Sequence, residues 1–258
     1  MGDVLVVETP TAGVALLRLN RPERLNALNH ELVGAIEQEC SRLSGDTATR
    51  AVVITGTGRG FCSGLDVRDF GPGLPSSHSP VAERMQFQER MGALPLAVRS
   101  LPQAVIVAVN GPCVGGGFAL CLAADVRLCS TAASFGNGAI LLGLSGGEMG
   151  MSYHLPRIVG TSVAADWMLS GRTVPAEEAD RRGLVSQLLE PEELLGRAFE
   201  LAERMAELPA LAVQVTKRAL QVNTDASDIG AALELENRNQ VLTHATEESA
   251  VRRGKWAK

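Results

Sequence analysis

Aromatic residues are scarce in this chain: two tryptophans, one tyrosine and six phenylalanines, 3% of the sequence. Any core it buries must therefore be built from Leu, Val, Ile and Ala. Basic charge is also short, with 24 Lys plus Arg against 29 Asp plus Glu and a formal net charge of -5. Binding nucleic acid generally requires a surplus of cations to displace counterions, so the balance argues against that function class. No apolar run approaches the roughly 20 residues that a membrane-spanning helix needs. The start, Met1-Gly2-Asp3-Val4, has no basic segment leading into an apolar one, so no secretory signal is expected. The cysteines (Cys40, Cys62, Cys113, Cys121, Cys129) are odd in number and form no C-x-x-C pair, which fits buried reduced thiols in a cytoplasmic protein. Neither a Ser-His-Asp arrangement nor a metal-ligand spacing is present, so no metal is expected.

Core material is plentiful. Of 258 residues, 45% are hydrophobic and 21% charged, as suits one ordinary domain with a smaller appendage. Val4 to Glu8 and Gly13 to Leu19 read as paired strands turning at Thr9-Pro10-Thr11-Ala12. From Asn29 the apolar spacing becomes helical, through Leu32, Val33, Ile36, Cys40 and Leu43, and Gly45 supplies a stop. Three short continuous apolar runs, Ala51 to Thr55, Ala104 to Val109 and Val126 to Cys129, are those of strands buried on both faces. Strands spaced by helical segments imply an α/β fold with parallel pairing. Residues 71–80 are rich in Gly, Pro and Ser and read as an exposed loop, with a helix following through Arg99. Beyond residue 150 helical segments take over, at 161–170, 175–182, 191–207, 209–222 and 225–243.

Two glycine-bearing stretches each follow a buried strand: Gly56 to Asp66, and Asn110 to Leu120 with the triplet Gly115-Gly116-Gly117. Glycine lets the backbone turn sharply and approach a ligand closely. The triplet opens a helical pattern, so its N–H groups fall at a helix N-terminus, a place suited to developing negative charge. Taken alone, both stretches are equally well read as tight turns. Dinucleotide and P-loop readings fail, because the G-x-G-x-x-G spacing and the P-loop lysine are missing.

The combination is more specific. Phe61-Cys62-Ser63-Gly64-Leu65-Asp66, then Val109-Asn110-Gly111-Pro112-Cys113-Val114-Gly115-Gly116-Gly117, then Ala123-Ala124-Asp125-Val126-Arg127 resembles the crotonase (enoyl-CoA hydratase/isomerase) family. The likeness continues at Leu19-Asn20-Arg21-Pro22, Leu25-Asn26-Ala27-Leu28, Leu155-Pro156-Arg157 and Leu169-Ser170-Gly171-Arg172, and spans roughly residues 4–222. It implies a ClpP-like spiral of ββα units over residues 1–195, with a C-terminal helical region, 196–258, that supports homotrimers often paired as homohexamers. It implies an acyl-CoA substrate and no further cofactor, in fatty-acyl metabolism.

In the family, the residues at Leu65 and Gly116 donate two backbone N–H bonds to the thioester oxygen. Losing one such donor typically costs about 2.7–4 kcal/mol in the transition state. Arg24, Leu25, Ala27, Ser63, Asp66, Val67 and Arg68 match positions that line or approach the CoA pocket. Arg24 is either a phosphate partner or a solvated surface residue. Family hydratases place two glutamates where this chain has Ala119 and Ala139. Each acid/base group of that kind contributes about 10²–10⁴-fold, so the usual hydratase chemistry is not expected here. Glu148 falls near the position where dienoyl-CoA isomerase relatives carry a catalytic Asp. It is either the acid/base group or a residue capping a helix start. Asp66 has the alternative task of fixing its loop, Asp125 that of bonding backbone, and Tyr153 and His154 read as surface or satisfied residues. The expectations are a hydratase/isomerase-type enzyme, an isomerase using Glu148 alone, or a CoA-thioester binder with little turnover. The apolar stripes Leu194, Leu195, Phe199, Ala202 and Leu211, Val215, Leu220 suit packing within or between subunits. The end from Glu247 to Lys258 is shorter than the family's usual tail.

Overall fold

The computed structural model describes residues 3–69 and 78–256. Most of the loop expected at 71–80 lies outside those residues. Strands β1 (Leu5–Thr11) and β2 (Val14–Leu19) are followed by α1 (His30–Ser44), β3 (Ala51–Gly56) and α2 (Val81–Ser100). Next come β4 (Ala104–Val109), β5 (Pro112–Val114), α3 (Gly116–Ala123), β6 (Val126–Ser130) and β7 (Ser134–Gly136). Helices α4 (Met151–Val159) and α5 (Thr161–Ser170) precede β8 (Val174–Pro175), α6 (Ala176–Arg181) and β9 (Gln187–Leu189). Four helices close the chain: α7 (Pro191–Ala206), α8 (Ala210–Asn223), α9 (Ile229–His244) and α10 (Glu247–Trp256). No helix among the described residues is long and apolar enough to cross a membrane.

The main sheet has the order β1-β2-β3-β4-β6-β9, antiparallel at β1–β2 and parallel at the other pairings. Its central strands are apolar at consecutive positions because both faces are covered. Val52, Ile54, Val105 and Val107 pack with Leu32 and Ile36 of α1, Leu94 and Val98 of α2, and Phe118 of α3. Their alternates, Val53, Ile106 and Ala108, face Leu194, Ala198 and Ala202 of α7. The i, i+4, i+8 spacing of those three puts them on one stripe of α7, with small alanines admitting close approach to the sheet.

A second, shorter layer crosses the ends of these strands. It contains β5-β7-β8 and is extended by bridges between Cys62 and Cys113 and between Leu28 and Leu65. Each turn of the chain therefore pairs a long strand with a short one and adds a helix: β3 with Cys62 to Leu65 and α2, β4 with β5 and α3, β6 with β7 and α4. That is the expected ββα spiral with a helical C-terminal region. The scarce aromatics are concentrated here, since Phe61, Phe118 and Phe135 are fully buried and the last two meet at 5.6 Å between ring centroids.

Several boundaries differ from expectation. The β1–β2 turn is at Ala12-Gly13, where Gly13 takes φ 80, because Thr9 to Thr11 continue the strand. The short strands β8 and β9 and the helix α10 have no clear sequence signal. A division at 195/196 falls inside α7, whose Ala198 and Ala202 seal the sheet, so the core continues to the end of that helix. The stripe containing Leu194 packs within this chain, whereas Leu220 on α8 is 72% exposed.

Helix α8 is pinned to the sheet by a charge. Lys217 Nζ lies 2.7 Å from Asp125 Oδ2 and donates to the Gln103 carbonyl at 2.8 Å. The same Asp125 oxygen accepts the Val105 N–H at 2.8 Å, the backbone task expected of it. Breaking a buried pair from one side strands the other charge, at about 3–5 kcal/mol. Asp125→Ala should therefore lower the unfolding free energy by about 3 kcal/mol, read from the urea midpoint. Lys217→Met should lower it less, since Asp125 keeps its backbone donor.

Candidate active site at the ends of the parallel strands

The loops leaving β3 and β4 are tied together by asparagine amides. Asn110 donates to the Gly58 carbonyl at 2.9 Å and accepts from the Gly56 N–H at 3.2 Å. From a third loop, Asn26 donates to Thr57 O at 3.0 Å and Gly60 O at 2.8 Å, while accepting the Arg21 N–H at 2.8 Å. Asn26 sits at φ 56, a left-handed conformation that asparagine tolerates better than most residues.

So held, the segment 61–66 forms backbone bonds on both sides. Ser63 N–H donates to Leu25 O at 3.0 Å, Leu28 N–H to Gly64 O at 2.7 Å and Asp66 N–H to Leu28 O at 2.9 Å. On the other side Cys62 N–H donates to Pro112 O at 3.1 Å and Val114 N–H to Cys62 O at 2.9 Å. Among the donors left over are the Leu65 and Gly116 N–H groups, which bond no acceptor among the described residues. Both residues line the same cavity of about 750 Å³. Gly116 is the first residue of α3, so the helix dipole adds positive potential at its N–H.

Glycine is what allows this approach. Gly64 has φ +91, and a Cβ on it would stand 3.0 Å from Val114 O and 3.6 Å from Gly116 N. A Cβ on Gly117 would lie 2.4 Å from Cys62 O, closer than any real contact.

Glu148 is the one carboxylate among the described residues lining the cavity. It is half-buried, and burial pushes its carboxyl above the ordinary value. The helix after it, α4, is capped by Gly150 at φ 82 with no side-chain cap bond, so Glu148 does not serve as a cap. Between them Met149 takes φ 47, and its Sδ would stand 3.4 Å from a Cβ placed on Gly116. Asn137, 2% exposed, holds the loop: its Nδ2 donates to Gly146 O at 2.5 Å and its Oδ1 accepts the Ala139 N–H at 3.1 Å.

Of the residues singled out in the sequence, Leu65, Gly116, Glu148, Ser63, Val67 and Ala139 line the cavity. Ala119 is buried in α3 and lies outside that lining. Asp66 is buried and pairs with Arg21 at 2.9 Å, while accepting the Arg68 and Asp69 N–H groups at 3.2 and 3.1 Å. Burial raises its pKa, but those bonds and Arg21 outweigh it and hold the carboxyl below its usual range, as fits a loop-fixing role. Arg24, Leu25 and Ala27 flank the cavity on the neighbouring loop, where Ser63 Oγ donates to Arg24 O at 3.3 Å and Ala27 O accepts from Arg21 at 2.5 Å. Arg68 is exposed. Tyr153 donates to Asp225. His154 is held down at about 4 by desolvation and by Arg99, Arg127 and Arg157; neither it nor Tyr153 lines the cavity.

Sequence reasoning missed most of the walls. Arg84, Phe87, Gln88 and Met91 of α2 form one side. Leu141, Leu142 and Leu144 form the other, and are 70%, 71% and 60% exposed. The i, i+3, i+4, i+7 spacing on α2 was readable as a helix face, though nothing in it says which cavity that face meets. The three asparagines gave no signal of their own.

The chain resembles known proteins over nearly its whole length. A family model described as enoyl-CoA hydratase/isomerase matches residues 9–257. A Mycobacterium leprae protein named a probable enoyl-CoA hydratase is 42% identical over 243 residues, 93% of this chain and 82% of its own length. The crystal structure of a probable enoyl-CoA hydratase/isomerase from Mycobacterium abscessus superposes with a TM-score of 0.87 at 37% identity, covering 98% of this chain and 96% of that one. A monofunctional enoyl-CoA isomerase from M. smegmatis gives 0.76 at 37% identity, over 90% and 99% of the two chains.

The Asn137 clamp is open to test. Asn137→Ala should cost about 1–3 kcal/mol of stability, because it strands the Gly146 carbonyl and the Ala139 N–H. Hydrogen exchange followed by mass spectrometry should show faster exchange through 139–149, with β3 and β4 protected as before. Uniform loosening of the whole sheet would mean that Asn137 does not act on this loop.

Proposed function

The chain belongs to the enoyl-CoA hydratase/isomerase family, and from that premise we propose that its cavity holds an acyl-CoA thioester, the carbonyl oxygen against the Leu65 and Gly116 N–H groups. It is an enzyme of the enoyl-CoA hydratase or isomerase type. In this reading Glu148 is the acid/base group, and the CoA thioester is the substrate with no further cofactor.

The reaction the geometry supports best is migration of a double bond. The Glu148 carboxylate takes a proton from carbon 2 of a 3-enoyl thioester. The electron pair delocalises onto the thioester oxygen, where two fixed N–H donors meet the charge as it develops. The protonated Glu148 then returns the proton at carbon 4, leaving the 2-enoyl thioester, so atoms and charge balance with one carboxyl. The observation behind this reading is that Glu148 stands alone. In family hydratases two glutamates occupy the positions of Ala119 and Ala139, and both side chains here lack any titratable group. A raised pKa also makes Glu148 a stronger base near neutral pH. Hydration is the second reading, favoured by the hydratase names among the relatives. Glu148 would then have to activate water and also serve carbon 2.

Arg24, Leu25, Ala27, Asp66 and Arg68 would border the CoA portion, on the loop beside Ser63. Assembly into homotrimers or homohexamers is supported by large apolar side chains left open on α8 and α9, such as Leu220 at 72% and Val241 at 71% exposure. All five cysteines are free and buried, which supports a reducing, cytoplasmic setting.

Incubation with a short 3-enoyl-CoA should raise the absorbance of the conjugated thioester, and a 2-enoyl-CoA should lose little. Rapid loss with the 2-enoyl substrate would favour hydration instead. Glu148→Gln should lower kcat by about 10²–10⁴-fold; unchanged turnover would remove Glu148 from the mechanism. The acid limb of kcat/KM should fall above the ordinary glutamate value of about 4.3, since the base must be ionised. Stability moves the other way. A pKa raised on folding gives stability that is present below the unfolded value and lost as pH rises through the folded one. Glu148→Gln should therefore raise Tm at neutral pH, with the gain shrinking in acid.

A further inference from the structure

Helix α2 turns a graded stripe toward the cavity. Met91 is 4% exposed, Phe87 is half-buried, and Gln88 and Arg84 are exposed. At 1.5 Å of rise per residue, the stripe passes from apolar to cationic over about 10 Å. Arg84 has no carboxylate partner among the described residues. This sets it apart from Arg90 on the same helix, which forks onto Glu37 at 3.1 and 2.9 Å, and from Arg42, Arg157, Arg172 and Arg197, all ion-paired. Among the described residues lining the cavity, Glu148 is the one anionic side chain and Arg84 the one cationic side chain, and most of the others are apolar.

We propose that Arg84, with Gln88 one turn further on, binds a carboxylate at the far end of the acyl chain, so that the site takes carboxy-acyl thioesters. The inference rests on the acyl-CoA reading above and deepens it. A guanidinium presents a planar fork of donors that matches a carboxylate in two parallel bonds, and the Gln88 amide adds a neutral donor. A phosphate of CoA has the same general chemistry. The acyl end is favoured because Arg84 shares its wall with Phe87 and Met91 and the cavity with Leu141 and Leu142, whereas the loop bearing Arg24, Leu25 and Ala27 lies outside this lining. An apolar chain between a reacting thioester and a terminal anion matches what the lining offers: N–H donors at Leu65 and Gly116, apolar Phe87, Met91, Leu141 and Leu142, and the Arg84 guanidinium. Desolvating part of the cavity with such a chain strengthens the final charge-assisted bonds.

The test compares two saturated thioesters with the same number of acyl carbons, pentanoyl-CoA and glutaryl-CoA, by titration calorimetry on the full-length protein at low salt. Wild type should bind glutaryl-CoA about tenfold more tightly, the scale of a partly exposed charge-assisted pair. Arg84→Met should bring the ratio to about one, and Arg84→Lys should keep an intermediate preference. Equal affinities in wild type, or a preference that survives Arg84→Met, would overturn the assignment. Equal weakening of both thioesters by Arg84→Met would place the guanidinium on a CoA phosphate and overturn the acyl source. Binding of neither thioester would overturn the acyl-CoA reading beneath it, an outcome distinct from the others because it does not depend on the ratio.

Discussion

Backbone meets backbone at Gly64, Gly115 and Gly117 with no side chain between, and the two open donors depend on that contact. The carbonyls around the seam are already taken. Gly64 O is bonded by Leu28, Cys62 O by Val114, Gly136 O by Gly115 and Gly115 O by Ala119. The Leu65 and Gly116 N–H groups thus have no acceptor among the described residues, although leaving a donor unpaired in a partly dry site costs about 1–3 kcal/mol. A fold retains that cost only where the rest of the structure over-determines the backbone. Here the over-determination comes from Asn26 and Asn110 gripping one loop from two sides, and from a parallel sheet whose strand ends are fixed by cores on both faces.

What fills the space behind the seam must be small and inert. Cys62 packs directly against Gly117, and Cys113 is paired beside it. Burial pushes the thiol of Cys62 up to about 12 and that of Cys129 to about 12. These cysteines are protonated and unreactive at any physiological pH, and act as compact apolar residues. The same reasoning accounts for alanine at position 119. Ala119 lies in the first turns of α3 and is fully buried, whereas Ala139, on a loop, stands at the cavity wall.

Where a signal is local, the sequence revealed it. Periodicity gave the buried strands and most helices, because a strand covered on both faces and a helix covered on one leave different spacings. The glycines gave the seam, because each marks a place where a side chain cannot fit. Length defeated the reading of β8 and β9, since two or three residues show no period. That 195/196 lies within a helix was hidden for a different reason: α7 is continuous, and its packing under the sheet is visible only once the strand faces are known. The cavity walls were illegible for the same reason. Phe87, Met91 and Leu141 look like ordinary apolar residues until the fold brings α2 opposite the loop after β7. Resemblance to a family pointed to Leu65 and Gly116, and to Ala119 and Ala139 as the places of two family glutamates; of these four, Leu65, Gly116 and Ala139 line the cavity and Ala119 is buried in α3.

Whether Glu148 is a cap or a base turns on the company it keeps. Asp228 and Asp46, which cap or brace backbone, are both held low. Asp228 accepts the Ala231 N–H at 3.0 Å at the start of α9, and such bonds lower its pKa. Asp46 accepts from the Thr49 hydroxyl and from the Ala48 and Thr49 N–H groups, and sits at about 2. Hydrogen bonds to the charged form always act in that direction. Glu148 moves the opposite way, because burial acts on it with no compensating donor among the described residues. Two consecutive left-handed residues, Met149 and Gly150, separate it from the first turn of α4. Had the chain entered the helix directly, a glutamate there would have found free N–H groups and become a weak base with a structural task. No backbone donor of α4 bonds the carboxylate among the described residues, and burial alone sets the direction of its pKa.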